Sequence, residues 1–176
     1  MRSFAEQQSQ FQVWLEQHRG IIIKVTRSFA QSPHDLADLQ QEVLLQLWNS
    51  VPAFAGEAKL STWIYRVCLN TALTWRRGTG RRERRIEPHA DLAQIAVDAA
   101  SPADAEDRRD LLEKLYAGIH AMPDFERALV LLMLDGLPYR EIAEITGLTE
   151  NHVGVALTRA RRHLAEQMKG TTHELE

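Results

Sequence analysis

Residues 139–164 read YREIAEITGLTENHVGVALTRARRHL, and this stretch decides the reading of the chain. Ile142, Ala143 and Ile145 supply the apolar face of a first helix, with Tyr139 one turn before. Gly147 interrupts the period where the backbone must turn, a place that favours glycine. Thr149 is a suitable N-cap for a second helix, and Glu150 suits its positive end. Val153, Leu157, Ala160 and Leu164 then recur at helical spacing, an inward stripe that leaves Asn151, His152, Thr158, Arg159 and Arg162 outside or flanking it. The pattern is that of a helix-turn-helix, whose second helix can lie in the major groove of DNA. The plainer alternative is a helical hairpin with a solvated basic end.

Composition bounds the rest. A chain of 176 residues, 44% hydrophobic and 26% charged, suits one domain or two small ones of an ordinary folded protein. Its one cysteine, Cys68, rules out an internal disulfide and a cysteine-cluster zinc site, and fits a reducing compartment. The N-terminal segment has neither a basic start nor an apolar run of signal-peptide length, and Ile21–Ile23 is far too short to span a bilayer. A cytoplasmic location without membrane insertion is expected.

The net charge of −3 hides a mosaic. Residues 76–85 hold six arginines and one glutamate, whereas residues 86–149 hold thirteen acids against five bases. The two outer segments balance. Such a distribution bears on partners more than the total does.

Outward from the opening stretch, the periodicity predicts helices throughout. Residues 4–31 carry Phe11, Leu15, His18, Ile22, Val25 and Phe29 at steps of three and four, with Gly20 weakening the middle. Ser32-Pro33-His34-Asp35 is a helix start resembling a capping box, opening a helix to about Ser50 on the stripe Leu36, Leu39, Val43 and Leu47. Asp35, Asp38 and Glu42 share another face of it, flanked by Gln41 and Gln46. No histidine, serine or ligand pattern joins them for catalysis, so the choice is between a solvated acidic face and a docking surface for a basic partner.

A loop, Val51 to Lys59, precedes a helix running to about Arg77. Leu60, Ile64, Val67, Cys68, Thr71 and Trp75 face one way; Trp63, Arg66, Asn70 and Arg77 face another. An aromatic ring, two guanidinium groups and an amide on one face suit single-stranded nucleic acid, by stacking, phosphate neutralisation and base-edge contact. The alternative makes Trp63 a core residue.

Residues 78–103 read as a linker, with an arginine cluster (Arg81, Arg82, Arg84, Arg85) and a short helix within 89–97. Helices over 104–121 and from Met122-Pro123-Asp124 to Gly136 then lead into the helix-turn-helix, and the last residues fray. The fold class expected is all-α: two small helical domains joined by a flexible linker, the second containing the helix-turn-helix.

Two separated stretches share one resemblance. HDLADLQQEVLLQLW (34–48) followed by FAGEAKLSTWIYRVCLNTALTWRR (54–77) resembles region two of bacterial sigma-seventy-type factors. MPDFERALVLLMLDGLPYREIAEITGLTENHVGVALTRARRHL (122–164) resembles their region four. With only a linker between, the chain is similar to the extracytoplasmic-function, or group four, type, over residues 8–78 and 108–168. The resemblance implies a region-two domain (1–78), a linker (79–103), a region-four domain (104–170) and a frayed tail (171–176).

It also implies functions for particular residues. Asp35, Asp38, Gln41 and Glu42 fall on the segment that binds the clamp helices of the polymerase beta-prime subunit. The loop with Phe54, Glu57 and Lys59 matches the part that captures a flipped base of the minus-ten element. Trp63, Arg66 and Asn70, with Arg77 beyond them, match the melting and strand-binding helix. Region four is expected on the beta flap, reading the minus-thirty-five element, with Arg127, Tyr139 and Arg140 as phosphate contacts and Asn151, His152, Thr158, Arg159 and Arg162 on or beside the recognition helix face. The implied partners are core RNA polymerase, promoter DNA and an anti-sigma factor; no cofactor, metal or catalytic residue is expected. The alternative is a stand-alone helix-turn-helix regulator that binds duplex DNA without polymerase.

The chain departs from the family pattern in region four. Pro138 stands where a capping serine or threonine is usual. The recognition helix, often TVKSRLHRAR, has Gly154 and Ala156 in place of the lysine and the first arginine. Minus-thirty-five readout is then weak, or rests on His152, Thr158 and Arg159.

Overall fold

The computed structural model describes residues 3–79 and 102–173, and every regular element among them is helical. The first group is α1 (Phe4–Phe29), α2 (Pro33–Ser50), a 3-10 turn (Val51–Ala53) and α3 (Leu60–Thr79). The second is α4 (Pro102–His120), α5 (Asp124–Leu134), α6 (Tyr139–Thr146) and α7 (Glu150–His173). The arginine cluster of 81–85 and the short helix expected within 89–97 lie outside the described residues. The tail holds its helix further than expected, to His173.

Local chemistry sets the boundaries. Ser3 Oγ accepts from Glu6 N at 3.2 Å while Ser3 N donates to Glu6 Oε2 at 2.7 Å, so a full capping box starts α1. Half of the box expected at α2 is formed: Ser32 Oγ accepts from Asp35 N at 3.1 Å, with Pro33 in the first turn. The irregularity expected near Gly20 falls at His18 (φ −125°, ψ 18°), two residues earlier. Gly147 closes α6 at φ +76°, and its N–H donates to Ala143 O at 2.9 Å. Thr149 caps α7 as expected, its Oγ1 accepting from His152 N at 3.3 Å. Pro138 starts α6 with no side-chain cap.

In the first group, α1, α2 and α3 pack pairwise around Trp14, Val25, Phe29, Leu39, Val43, Leu47, Ile64 and Cys68, all fully buried. In the second, α7 packs against α4, α5 and α6, burying Leu129, Leu132, Ile142 and the predicted α7 stripe of Val153, Leu157, Ala160 and Leu164. Burial grows along α4: Leu111 is exposed, Leu112 and Leu115 are half-buried and Ile119 is buried. The two groups also meet. α3 lies on α6, and α1 lies on α4 and α5.

Gly154 of α7 lies against Tyr139 of α6. A Cβ built there would lie 3.5 Å from Tyr139 Cε2, so the tyrosine ring packs beside the bare helix backbone. That distance is ordinary van der Waals contact, and glycine inside a helix costs about 1 kcal/mol relative to alanine. Gly154→Ala is expected to stabilise the protein by up to about 1 kcal/mol in denaturant unfolding. A loss of stability would mean that the Tyr139 ring cannot accommodate the methyl group.

Candidate polymerase and nucleic-acid interfaces

The acidic face of α2 is open. Asp38 and Gln41 are exposed, and Asp35 and Glu42 are half-buried. Their partners are local: His34 Nε2 lies 3.5 Å from Asp38 Oδ2, and Gln46 Nε2 donates to Glu42 Oε1 at 2.9 Å. Leu45, 52% exposed, stands one turn beyond Gln41 and Glu42, so an apolar spot lies at the C-terminal end of the acidic face. Leu45 stands off the Leu39–Val43–Leu47 stripe, a signal of exposure present in the sequence.

Beside this face, an aromatic row links α1, the loop and α3. Trp14 and Phe54 meet edge-on with centroids 5.4 Å apart, and Phe54 meets Trp63 at 5.6 Å and 56°. Trp63 Nε1 donates to Ser50 Oγ at 3.2 Å. Trp63 is thus half-buried and fixed from below, partly core and partly surface. Phe54 is half-buried within the row rather than free at the loop tip, where Glu57 and Lys59 are exposed. Asn70 is exposed on a shallow groove lined also by Glu42, Gln46, Thr71, Thr74 and Trp75, which joins the acidic face of α2 to α3. Arg77 is exposed and folds back, donating to Leu73 O at 3.2 Å and Thr74 Oγ1 at 3.3 Å.

Two cations of this surface point elsewhere. Lys59 Nζ pairs with Glu141 Oε1 of α6, and Arg66 Nη2 donates to the Glu144 carbonyl oxygen at 2.6 Å.

On the second group, Tyr139, Arg140, Asn151, His152, Thr158, Arg159 and Arg162 are all exposed. Arg140 and Arg162 make only loose pairs along their own helices, with Glu144 at 3.5 Å and Glu166 at 4.0 Å. Thr158 Oγ1 donates to Gly154 O at 2.9 Å, which leaves its lone pairs outward. Val155, unremarked in the sequence, is 64% exposed in the middle of this face. His163 Nδ1 meets Glu126 Oε2 at 2.5 Å and ties α7 to α5.

Arg127 requires a correction. Expected as a phosphate contact, it is 2% exposed. Its Nε donates to Ile119 O at 3.1 Å, Nη1 to Ser28 O at 3.3 Å, and Nη2 to His120 O and Met122 O at 2.7 and 3.0 Å. Ser28 ends α1, and Ile119 and His120 end α4, so these are carbonyls that a helix C-terminus leaves without an intrahelical partner. The guanidinium satisfies them and meets the negative ends of two helix dipoles. Its core-side position also places it over the Phe29 ring at 5.1 Å. A side chain so engaged has no donor to offer DNA.

Around Arg127, His120 meets Arg27 O at 2.9 Å, and Arg27 stacks over Tyr116 at 4.7 Å. Burial, together with the nearby Arg127, Arg76 and Arg27 charges, lowers the His120 pKa against the raising effect of its bond to Arg27 O. Burial pushes the Cys68 thiol up to about 12, which marks it as a packing residue rather than a nucleophile. Among the described residues no three histidine, cysteine or acidic side chains group as a metal site, and no helix is long and apolar enough to cross a membrane.

Comparison with known proteins agrees with this division. Residues 14–82 match the family Sigma-70 region 2, and residues 112–164 match Sigma-70, region 4. The chain is 29% identical over 145 residues to the ECF RNA polymerase sigma-E factor of Haemophilus influenzae, covering 78% of this chain and 77% of that protein. It is 30% identical over 184 residues to the ECF RNA polymerase sigma factor SigG of Mycobacterium tuberculosis, covering 90% of this chain but only 49% of that protein. In structure it is similar to the sigma factor RpoE of Bartonella quintana, solved in complex with the anti-sigma factor NepR, with TM-score 0.67, 17% identity and coverage of 92% and 96% of the two chains. That last likeness is one of fold. With region 2 on the first helical group and region 4 on the second, the chain belongs to the sigma-70 family and is a sigma factor of the extracytoplasmic-function type.

Proposed function

We propose that this sigma factor directs core RNA polymerase to promoters by docking through α2 and opening DNA through α3, with no chemical step of its own. The observation that carries the reading is the placement of both surfaces on one three-helix unit. The open acidic face of Asp35, Asp38, Gln41 and Glu42, with Leu45 at its C-terminal end, suits the basic clamp helices of the beta-prime subunit. The adjoining aromatic and cationic face suits a single strand: Trp63 offers a ring already held by Phe54 and Ser50, Lys59, Arg66 and Arg77 offer charge, and Asn70 offers an amide. The loop at Phe54, Glu57 and Lys59 is assigned to the flipped minus-ten base, whose unstacking cost stacking and hydrogen bonds must offset.

Region four is assigned to the beta flap and the minus-thirty-five element, through the exposed Asn151, His152, Thr158, Arg159 and Arg162, with Tyr139 and Arg140 against phosphate. Residues 1–78 and 104–170 are the two working domains in this scheme, with 79–103 as the linker and 171–176 as the tail. The protein acts in the cytoplasm, and an anti-sigma factor is the assigned controller, as the complex of the similarly folded RpoE with NepR suggests.

Trp63→Ala tests the strand-opening role. Base–aromatic stacking is worth about 1–3 kcal/mol, so open complexes are expected to fall about tenfold while closed-complex affinity stays within about twofold. Permanganate reactivity of unpaired thymines reads the first, and electrophoretic mobility of holoenzyme on duplex promoter reads the second. Unchanged thymine reactivity would make Trp63 a packing residue only.

A further inference from the structure

The outward face of α7 carries an apolar side chain at its centre. Val155 is 64% exposed. Asn151 and His152 stand one helical turn before it, Thr158 and Arg159 one turn after, and all of these are exposed. The buried stripe of Val153, Leu157, Ala160 and Leu164 lies on the opposite side, so Val155 is outside the core that α7 helps to form. Its neighbours in the chain are short: Gly154 has no side chain and Ala156 has one methyl group. Thr158 Oγ1 donates to Gly154 O at 2.9 Å and has no second proton to give. The middle of the face, Val155 with Thr158, therefore offers no hydrogen-bond donor, whereas Asn151 before it and Arg159 and Arg162 beyond it do.

We propose that Val155 is a specificity-determining residue of promoter recognition, which reads the C5-methyl group of a thymine in the minus-thirty-five element. The inference rests on the placement of α7 in the major groove and goes beyond it by naming the base and the group that is read. Base edges in that groove present hydrogen-bonding groups and a single kind of apolar group, the thymine methyl. Valine set against a guanine acceptor or a cytosine amine would displace water from it and return no hydrogen bond, which costs free energy. Valine set against the thymine methyl removes apolar surface from water on both partners. One side chain thus favours thymine and penalises a G·C pair. Short neighbours suit this use, because a valine reaches a base edge only where the helix lies deep in the groove. Asn151 and Arg159, longer and one turn away on either side, are left for the hydrogen-bonding edges of adjacent pairs.

The experiment uses holoenzyme formed from core polymerase and the full chain, with a randomised duplex DNA pool as the probe. Selection of bound duplexes defines the upstream motif. Each thymine of that motif, on either strand, is then replaced in turn by deoxyuridine, which removes the methyl group and leaves every hydrogen-bonding group in place. Competition binding reads the thymine-to-uracil affinity ratio for wild type and for Val155→Ala, a change that an exposed helix position accepts readily. At one thymine the wild type is expected to lose about three- to fivefold on removal of the methyl group, the scale of burying one such group. Val155→Ala is expected to bind the thymine duplex about as weakly as wild type binds the uracil duplex, and to show a ratio below about 1.5 at that position, as a coupled pair requires. An upstream motif in which no thymine responds to loss of its methyl group, or in which Val155→Ala keeps the full wild-type ratio, would overturn the proposal while leaving α7 a DNA-reading helix. A selection that yields no upstream motif would overturn the groove placement of α7, and the reading of Val155 would fall with it.

Discussion

Replacing Arg127 with methionine is expected to cost about 3–5 kcal/mol of folding stability, the range for breaking a buried charged network. The guanidinium serves four carbonyls, those of Ser28, Ile119, His120 and Met122, from a position with almost no solvent access. Methionine retains the packing volume but removes the guanidinium donor from the Ser28, His120 and Met122 oxygens, whereas Ile119 O keeps the Met122 N–H at 3.1 Å, and unsatisfied buried acceptors carry their desolvation cost in full. For a chain of this size the melting temperature should fall by roughly 10 °C or more. Lysine should rescue little, because one ammonium group cannot span acceptors at three helix ends and turns. Thermal unfolding followed by circular dichroism checks this. A variant that melts with wild type but loses minus-thirty-five binding would restore Arg127 to the DNA surface.

Reversing charge on α2 is expected to have the largest functional effect. Asp38→Arg with Glu42→Arg places two cations where a basic partner must dock, and like charges across an interface cost several kcal/mol, or on the order of 100-fold or more in core affinity. The fold should be indifferent. Asp38 and Glu42 face outward, and their contacts with His34 and Gln46 are exposed pairs one helical turn away on the same helix. Retained transcription by a well-folded double variant would count against the docking assignment.

Local chemistry made most of the elements readable. The α7 stripe, the Gly147 turn and the Ser32 and Thr149 caps each depend on residues within a few positions of one another, so periodicity and capping rules reach them. What escaped depends on distant chain. Trp14 and Leu15 are adjacent apolar residues, yet Trp14 is fully buried, its ring meeting Phe54 of the loop before α3, while Leu15 is half-buried. Arg127 sits in the run DFERALVLLML and resembles a surface charge until the C-terminal carbonyls of two other helices converge on it. The candidate site was legible in kind, as an acidic face on α2, an aromatic and cationic face on α3 and an exposed polar face on α7. Its state was not, since the Lys59–Glu141 and Arg66–Glu144 contacts join residues 82 and 78 apart in sequence and leave no periodic trace. The sparse base-reading groups of α7 fit the proposed scheme, in which promoter contact is divided between two domains and does not rest on the helix-turn-helix alone.

Transcription by purified core polymerase on a genomic DNA library, with and without this protein, followed by mapping of start sites, tests the account most directly. The expected result is a set of starts absent from core alone, sharing one motif near minus ten and a second, weaker one near minus thirty-five. Core polymerase that ignores the protein, while the protein alone binds duplex DNA tightly, would contradict it and favour a stand-alone helix-turn-helix regulator.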